Sequence, residues 1–257
     1  MNNKSLAKTA LACAFLAVPV TASANLVEFS SLTSVGTFQK TTGPVAIAGA
    51  GLSVTGGVVG DNGMTQPLTI ANDGGNEIGF GVCGPGDIDT GPGANLCDSA
   101  FALDTEYGTW NGELDELENM TDNEYITITE TTGVLTGDFL LGSFDGSEAG
   151  TVTYGGNTVE FQRTGGASAI IHSSTLAGSS ISLFGPANVW LLSLAGFDAG
   201  ISSVTFTAGC TAVGCGDNND YLVAGATVVP IPAAAWLFGS ALLGIAGIAR
   251  RKAAIQA

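Results

Sequence analysis

Residues 151–161 read Thr-Val-Thr-Tyr-Gly-Gly-Asn-Thr-Val-Glu-Phe, and their pattern predicts a β-hairpin. Apolar and polar residues alternate on both sides of the central Gly155-Gly156-Asn157, as expected of strands with one buried face. The three central residues tolerate positive φ, so the chain can reverse direction there. The stretch therefore predicts two antiparallel strands joined by a tight turn.

The same two-residue alternation recurs outside the hairpin, most clearly in Tyr-Ile-Thr-Ile-Thr at 125–129. Further strands are predicted at 26–30, 45–48, 52–54, 78–82, 139–143, 169–172, 189–194, 204–207 and 221–228. Short strands separated by glycine-rich turns, with 38 glycines in the chain, favour an all-β fold. We expect an antiparallel, jelly-roll-like β-sandwich with at most one helical turn, at 113–120.

The N-terminal residues 1–24 have the pattern of a secretory signal peptide. Lys4 and Lys8 supply the positive charge, and a short apolar helix follows them. Ala22 and Ala24 are the small residues of a cleavage site. The sequence therefore predicts export, with Cys13 removed inside the signal peptide.

The C-terminal residues 229–257 contain a proline motif, an apolar segment and a basic cluster, in that order. The motif is Val229, Pro230, Ile231, Pro232 and Ala233, the apolar segment is 234–249, and the cluster is Arg250, Arg251 and Lys252. Two prolines favour an extended, exposed stretch. As a helix, the apolar segment would span roughly 24 Å, which is marginal for a membrane core of about 30 Å. The basic cluster is expected to stay cytoplasmic as an anchor.

This arrangement resembles the sorting signal of PEP-CTERM proteins, in the variant whose motif reads Val-Pro-Leu-Pro-Ala, with Ile231 in place of leucine. The resemblance implies an exosortase-like processing protease as partner and a precursor associated with the inner membrane. The mature protein would then reach the cell surface or the extracellular matrix. The alternative is an ordinary membrane anchor that retains residues 234–252.

Removing both ends leaves residues 25–228 as one acidic ectodomain. All 23 acidic residues lie there, against two cations, Lys40 and Arg163. Such a surface repels phosphate, so no nucleic acid partner is expected. The charge keeps an exported protein soluble and attracts cations.

Four cysteines remain in this region: Cys83, Cys97, Cys210 and Cys215. Their even number and the predicted export favour disulfides over a metal site. Three pairings are possible, and the nearest-neighbour one needs no long-range assumption. We therefore expect Cys83 with Cys97 and Cys210 with Cys215, while the paired spacing of a zinc site is absent.

An acidic cluster precedes the strand predicted at residue 125. Its members are Glu113, Asp115, Glu118, Asp122 and Glu124. Carboxylate oxygens are ligands that calcium prefers, so calcium is the one cofactor that this cluster suggests. The spacing matches no EF-hand. The alternative is a solvated acidic edge that discourages strand pairing.

The sequence offers little for catalysis. The single histidine, His172, is expected at a strand end, and no hydrolase elbow, zinc or P-loop motif is present. Tyr107 and Trp110 lie in a polar stretch where they could stack on sugar rings, or else pack under the disulfide loop. Trp190, between Val189 and Leu191, is predicted in the core.

The sequence thus predicts a non-enzymatic exported protein that is structural or adhesive in an exopolysaccharide matrix or biofilm. The exopolysaccharide is a further predicted partner. Two alternatives remain open. One is a secreted polysaccharide-active hydrolase with two carboxylates at catalytic separation. The other is a permanently membrane-anchored surface protein.

Overall fold

A computed structural model describes residues 24–32, 37–41, 43–47, 49–59, 65–72, 78–83, 105–107, 117–118, 124–144, 146–185, 189–197, 201–211 and 220–230. All of them belong to one compact unit, Ser23–Ile231. The predicted signal peptide up to residue 23 and the tail from residue 231 lie outside the described residues. In the part that is described, no helix has the length and apolarity needed to cross a membrane.

The described residues form strands throughout, apart from turns and one 3₁₀ helix at Phe29–Leu32. The strands are β1 (Asn25–Glu28), β2 (Thr37–Thr41), β3 (Val45–Ile47), β4 (Leu52–Val58), β5 (Thr65–Gln66), β6 (Leu68–Asn72), β7 (Ile78–Val82), β8 (Thr105–Tyr107), β9 (Leu117–Glu118), β10 (Glu124–Glu130), β11 (Gly133–Gly142), β12 (Ala149–Tyr154), β13 (Asn157–Gly165), β14 (Ser168–Ser174), β15 (Ser180–Leu183), β16 (Trp190–Ser193), β17 (Ser203–Ala208) and β18 (Asp220–Pro230).

Within the described ranges these strands form two antiparallel sheets. Sheet 1 has the order β15-β16-β11-β18-β7-β6-β2-β8, with β1 and β9 also paired to β18. Sheet 2 has the order β14-β13-β12-β17-β10-β4-β3, with β5 paired to β4. The sheets pack face to face: the rings of Phe139 in sheet 1 and Phe206 in sheet 2 are 5.2 Å apart. The predicted all-β, sandwich-like fold is confirmed.

Strand β18 lies inside sheet 1 and is covered on both faces. It pairs with β11 along one side and with β1, β7 and β9 along the other. Residues 221–226 are all buried. Val223 belongs to the main core between the sheets, whereas Ala224 packs with Leu140 on the opposite face. The last strand of the domain is therefore among its most enclosed.

Tyr221 crosses from β18 to the other sheet. Its hydroxyl donates a hydrogen bond to the Thr207 carbonyl oxygen at 3.0 Å. Its ring makes edge contacts with Phe144 and Phe161, with centroid distances of 6.0 and 5.7 Å. A Cβ added at Gly150 would lie 2.8 Å from the Tyr221 ring, so only glycine leaves room for it. Aromatic packing and one buried hydrogen bond thus join the two sheets here.

The hairpin predicted at 151–161 is present with a tighter turn. Tyr154 pairs with Asn157, and Gly155 and Gly156 form the connection with φ of 52° and 81°. Two consecutive positive φ values are typical of a type I′ turn, whose twist suits the flanking strands. Asn157 therefore begins β13 instead of belonging to the turn.

Several elements differ from the sequence predictions. The sequence does not predict strands β2, β5, β6, β8 and β15. The first strand ends at Glu28, and a 3₁₀ helix begins at Phe29. Within the predicted helical turn at 113–120, Leu117–Glu118 is instead strand β9, because it pairs with β18. Strand β18 also continues to Pro230, two residues beyond the predicted end of the ectodomain at 228.

Candidate functional site

The outer face of sheet 2 carries a row of threonines at paired positions of five neighbouring strands. In order from β4 to β13 these are Thr55, Thr127, Thr205, Thr153 and Thr158. Alternation places the apolar neighbours of each threonine on the core side, where Ile126, Val152 and Phe206 are fully buried. We call these five residues the threonine row.

Hydrogen bonds join members of the threonine row to neighbouring segments, one through side chains and one through a backbone N–H. The hydroxyls of Thr127 and Thr205 lie 2.9 Å apart, and the Thr158 backbone N–H donates to the hydroxyl of Thr175 at 3.0 Å. Cross-strand contacts of this kind stabilise a sheet modestly. The result is an uncharged surface of methyl and hydroxyl groups.

A second row runs parallel to the first, two residues along each strand. It contains Gly57, Tyr125, Thr207, Thr151 and Glu160 at paired positions. The Tyr125 ring lies over Gly57, because a Cβ added at Gly57 would be 2.5 Å from the Tyr125 hydroxyl. Glycine at this position therefore allows the aromatic ring to lie along the sheet.

A groove of about 420 Å³ opens at the β13 end of this second row. Its walls include Thr151, Thr158, Glu160, Thr207, Cys210 and Thr211. Val59, which is 56% exposed, stands at its rim. The groove thus combines the hydroxyl groups of four threonines and one carboxylate with apolar wall surface.

Glu160 is only 6% exposed, although it carries the carboxylate of the groove. Its Oε1 accepts hydrogen bonds from the Thr211 backbone N–H at 2.9 Å and from the Thr211 hydroxyl at 2.5 Å. Both hydrogen bonds that the described residues give this carboxylate end on Oε1. Its other oxygen, Oε2, is left as an acceptor in a groove with restricted access to water.

Two of the four predicted half-cystines lie in the described part of the chain. Cys83 and Cys210 are each disulfide-bonded. Cys83 is buried after β7, whereas Cys210 follows β17 beside the groove. Cys97 and Cys215 lie outside the described residues, so the predicted nearest-neighbour pairing stays a prediction.

The acidic cluster predicted for calcium is only partly described. Glu124 is fully buried at the start of β10, an interior strand between β17 and β4, so a solvated acidic edge is wrong for this residue. The backbone of Glu118 pairs with that of Asp220. The remaining three ligand candidates, Glu113, Asp115 and Asp122, lie outside the described residues. Among the residues that are described, no three His, Cys, Asp or Glu side chains meet as a metal site.

His172 lies within β14 rather than at the end of a strand. Its Nε2 hydrogen-bonds to Oε1 of Gln162 on the neighbouring strand β13. The ring is half-buried on the sheet. This contact makes the histidine part of the pairing between β13 and β14.

The two aromatic side chains predicted to stack on sugars are not among those that the structure describes, so that prediction stays a prediction. Tyr107 is described only as a backbone position in β8, opposite Phe38, and Trp110 lies outside the described residues. Trp190 is 1% exposed, which confirms its predicted place in the core. Tyr125 is the aromatic residue that sequence reasoning missed. Its position in an alternating strand was visible, but its neighbours were not.

The first two residues of the predicted sorting motif end strand β18. Val229 pairs with Val134 and Pro230 with Gly133, and Val229 is half-buried. The rest of the motif and the basic residues 250–252 lie outside the described residues. So does Ala22, whereas Ala24 is exposed just before β1.

Comparison of the chain with protein-family profiles, curated proteins and solved structures found no match.

Proposed function

We propose that this chain is an exported surface or matrix protein that an exosortase-like system sorts through its C-terminal signal. In this proposal it is a membrane-associated precursor first and a structural or adhesive component of an exopolysaccharide matrix afterwards. The terminal segments act as a signal helix and a hydrophobic sorting helix around a jelly-roll-like ectodomain. Its partners are the processing protease, the inner membrane and the exopolysaccharide.

The order of features in residues 229–252 carries this proposal. A plain membrane anchor requires only the apolar segment and the basic cluster. It does not require Val-Pro-Ile-Pro-Ala directly before the apolar segment. The motif is what favours processing over permanent anchoring.

Features of the ectodomain support the exported state. Disulfides persist in oxidising compartments, and Cys83 and Cys210 are both disulfide-bonded. Its 23 acidic residues against two cations keep such a domain soluble and away from nucleic acid. The threonine row presents an uncharged polar face to the surroundings.

Intact-mass spectrometry of the protein from its native host tests the proposal, before and after reduction and alkylation. We expect a mature C-terminus near 229–233 and a mass shift that corresponds to two disulfides. The precursor of the Pro232→Ala variant should accumulate, because the substitution removes the constrained φ of the motif. Ala249→Val, which keeps the apolar segment apolar, is the matched control.

A mature mass that still includes residues 234–257 would overturn the sorting proposal and leave a permanently anchored surface protein. Equal processing of Pro232→Ala and Ala249→Val would show that the motif is not what the protease requires.

A further inference from the structure

We propose that the groove beside Glu160, together with the Tyr125 ring, is a binding site for a neutral glycan chain. This inference rests on the matrix role proposed above and assigns that role to a particular surface. The site lies on the outer face of sheet 2, away from the sorting motif on sheet 1. It uses residues of four adjacent strands, β10, β17, β12 and β13.

The chemistry of the groove suits a ligand rich in hydroxyl groups. A carboxylate oxygen accepts strong, charge-assisted hydrogen bonds, and Glu160 Oε2 receives none from the described residues. Thr151 and Thr207 donate their hydroxyl protons to the Gly209 and Thr151 carbonyl oxygens, at 2.8 and 3.4 Å, so their hydroxyl oxygens remain as acceptors for a ligand. A sugar hydroxyl can therefore donate to Glu160 while a neighbouring one bonds to a threonine.

Tyr125 provides the apolar contact that sugars also need. Its ring lies over Gly57, and its backbone pairs with Thr207 in the groove wall. The faces of aromatic rings pack against the C–H faces of sugar rings. The backbones of Tyr125 and Glu160 lie three strand positions apart, about 14 Å at the usual strand spacing, and the Tyr125 ring extends further, over Gly57 of β4. A single sugar does not cover that distance, so the expected ligand is a short oligomer.

Charge selects a neutral glycan over the other occupants of a polar sheet face. The groove holds a carboxylate, and the ectodomain has 23 acidic residues against two cations. A polyuronate or a second copy of this chain would bring further negative charge to that carboxylate. A neutral polyol brings hydrogen-bond donors without adding negative charge.

Titration calorimetry on the full-length chain in a mild detergent tests the site. The probes are β-1,4-, β-1,3- and α-1,4-linked glucose hexamers, with an oligouronate of equal length as the charged comparison. We expect at least one neutral hexamer to bind and the oligouronate not to bind. Glu160→Gln should weaken binding about tenfold, the equivalent of one charge-assisted hydrogen bond.

Glu160→Gln keeps an acceptor oxygen for Thr211, so the loop after β17 should stay in place. Thr207→Val is a second test, because it removes a groove hydroxyl and retains the β-branched shape. Thr55→Val is the matched control, since it makes the same change in the threonine row outside the groove. It should leave the affinity unchanged.

Failure of every neutral hexamer to bind would overturn the inference, as would equal affinities for Glu160→Gln, Thr207→Val and Thr55→Val. Preferential binding of the oligouronate, or self-association that Glu160→Gln abolishes, would also overturn it. A chain that is processed and exported but binds no hexamer defeats this inference alone. A chain that binds a hexamer and retains residues 234–257 defeats the sorting proposal instead.

Discussion

Val229, the first residue of the predicted sorting motif, lies opposite Val134 in the ladder between β18 and β11. The motif is therefore extended where it begins, as the two prolines lead one to expect. The start of the motif is also fixed by strand pairing, which continues to Pro230 opposite Gly133. A protease that binds the motif as an extended strand would meet two of its five residues already paired within sheet 1.

This pairing predicts that processing depends on how firmly β11 holds the end of β18. Val134→Asp places a charge at a half-buried position of the ladder and should fray it, which increases the fraction of processed protein in a pulse-chase experiment. Val134→Ile keeps the packing and serves as the control. Indistinguishable processing of the two variants would mean that the ladder end does not limit access to the motif.

Gly150→Ala should destabilise the domain through its core. The added Cβ would lie 2.5 Å from the tip of Phe161 and 2.8 Å from Tyr221, both of which are fully buried. Overpacking of this kind typically costs about 1–3 kcal/mol. Denaturant unfolding should show that loss, whereas Thr153→Val on the exposed face of the same strand should stay within about 0.5 kcal/mol of wild type.

Because Tyr221 is buried, we expect the domain to lose stability at alkaline pH. Burial raises the pKa of Tyr221 well above its ordinary value. The unfolded chain releases this proton near pH 10 while the folded chain retains it, so the free energy of unfolding should fall as pH rises above about 10. The expected slope approaches 1.4 kcal/mol per pH unit, at most about that for one group. Denaturant unfolding between pH 7 and pH 11 measures it.

Tyr221→Phe separates this titration from other alkaline effects. It should cost about 1 kcal/mol at pH 7 through loss of the hydrogen bond to Thr207, yet lose less stability between pH 10 and pH 11. Burial also raises the pKa of Tyr154, so a shallower pH dependence should remain. A pH profile identical in shape to wild type would contradict the role assigned to Tyr221.

Peptide mapping without reduction should find Cys83 joined to Cys97 and Cys210 joined to Cys215. Both described half-cystines follow strands, β7 and β17, and in each case the predicted partner is the next cysteine along the chain. Mapping after reduction and alkylation is the control. A peptide that links Cys83 to Cys210 would show that a disulfide joins the two sheets instead of closing two separate loops.

The alternating residues of β10, β12 and β17 were sufficient to predict strands with one buried face, and the structure buries Ile126, Val152 and Phe206 as that pattern requires. Such periodicity is local, because successive side chains of a strand point to opposite faces whatever the strand pairs with. The same holds for the hairpin turn, where two glycines carry the positive φ. The unpredicted strands β2 and β6 lack a clear alternation of apolar and polar residues. They are strands because they pair with each other.

The candidate site, in contrast, could not be predicted from the sequence. Thr207, Thr151 and Glu160 are far apart in the chain, and only the pairing of β17 with β12 and of β12 with β13 places them side by side. A shift of one residue in any of these pairings would turn a side chain toward the core. The local sequence pattern thus determines which side chains each strand exposes. The groove depends on the tertiary structure, because long-range packing selects one strand register among several that the pattern alone permits.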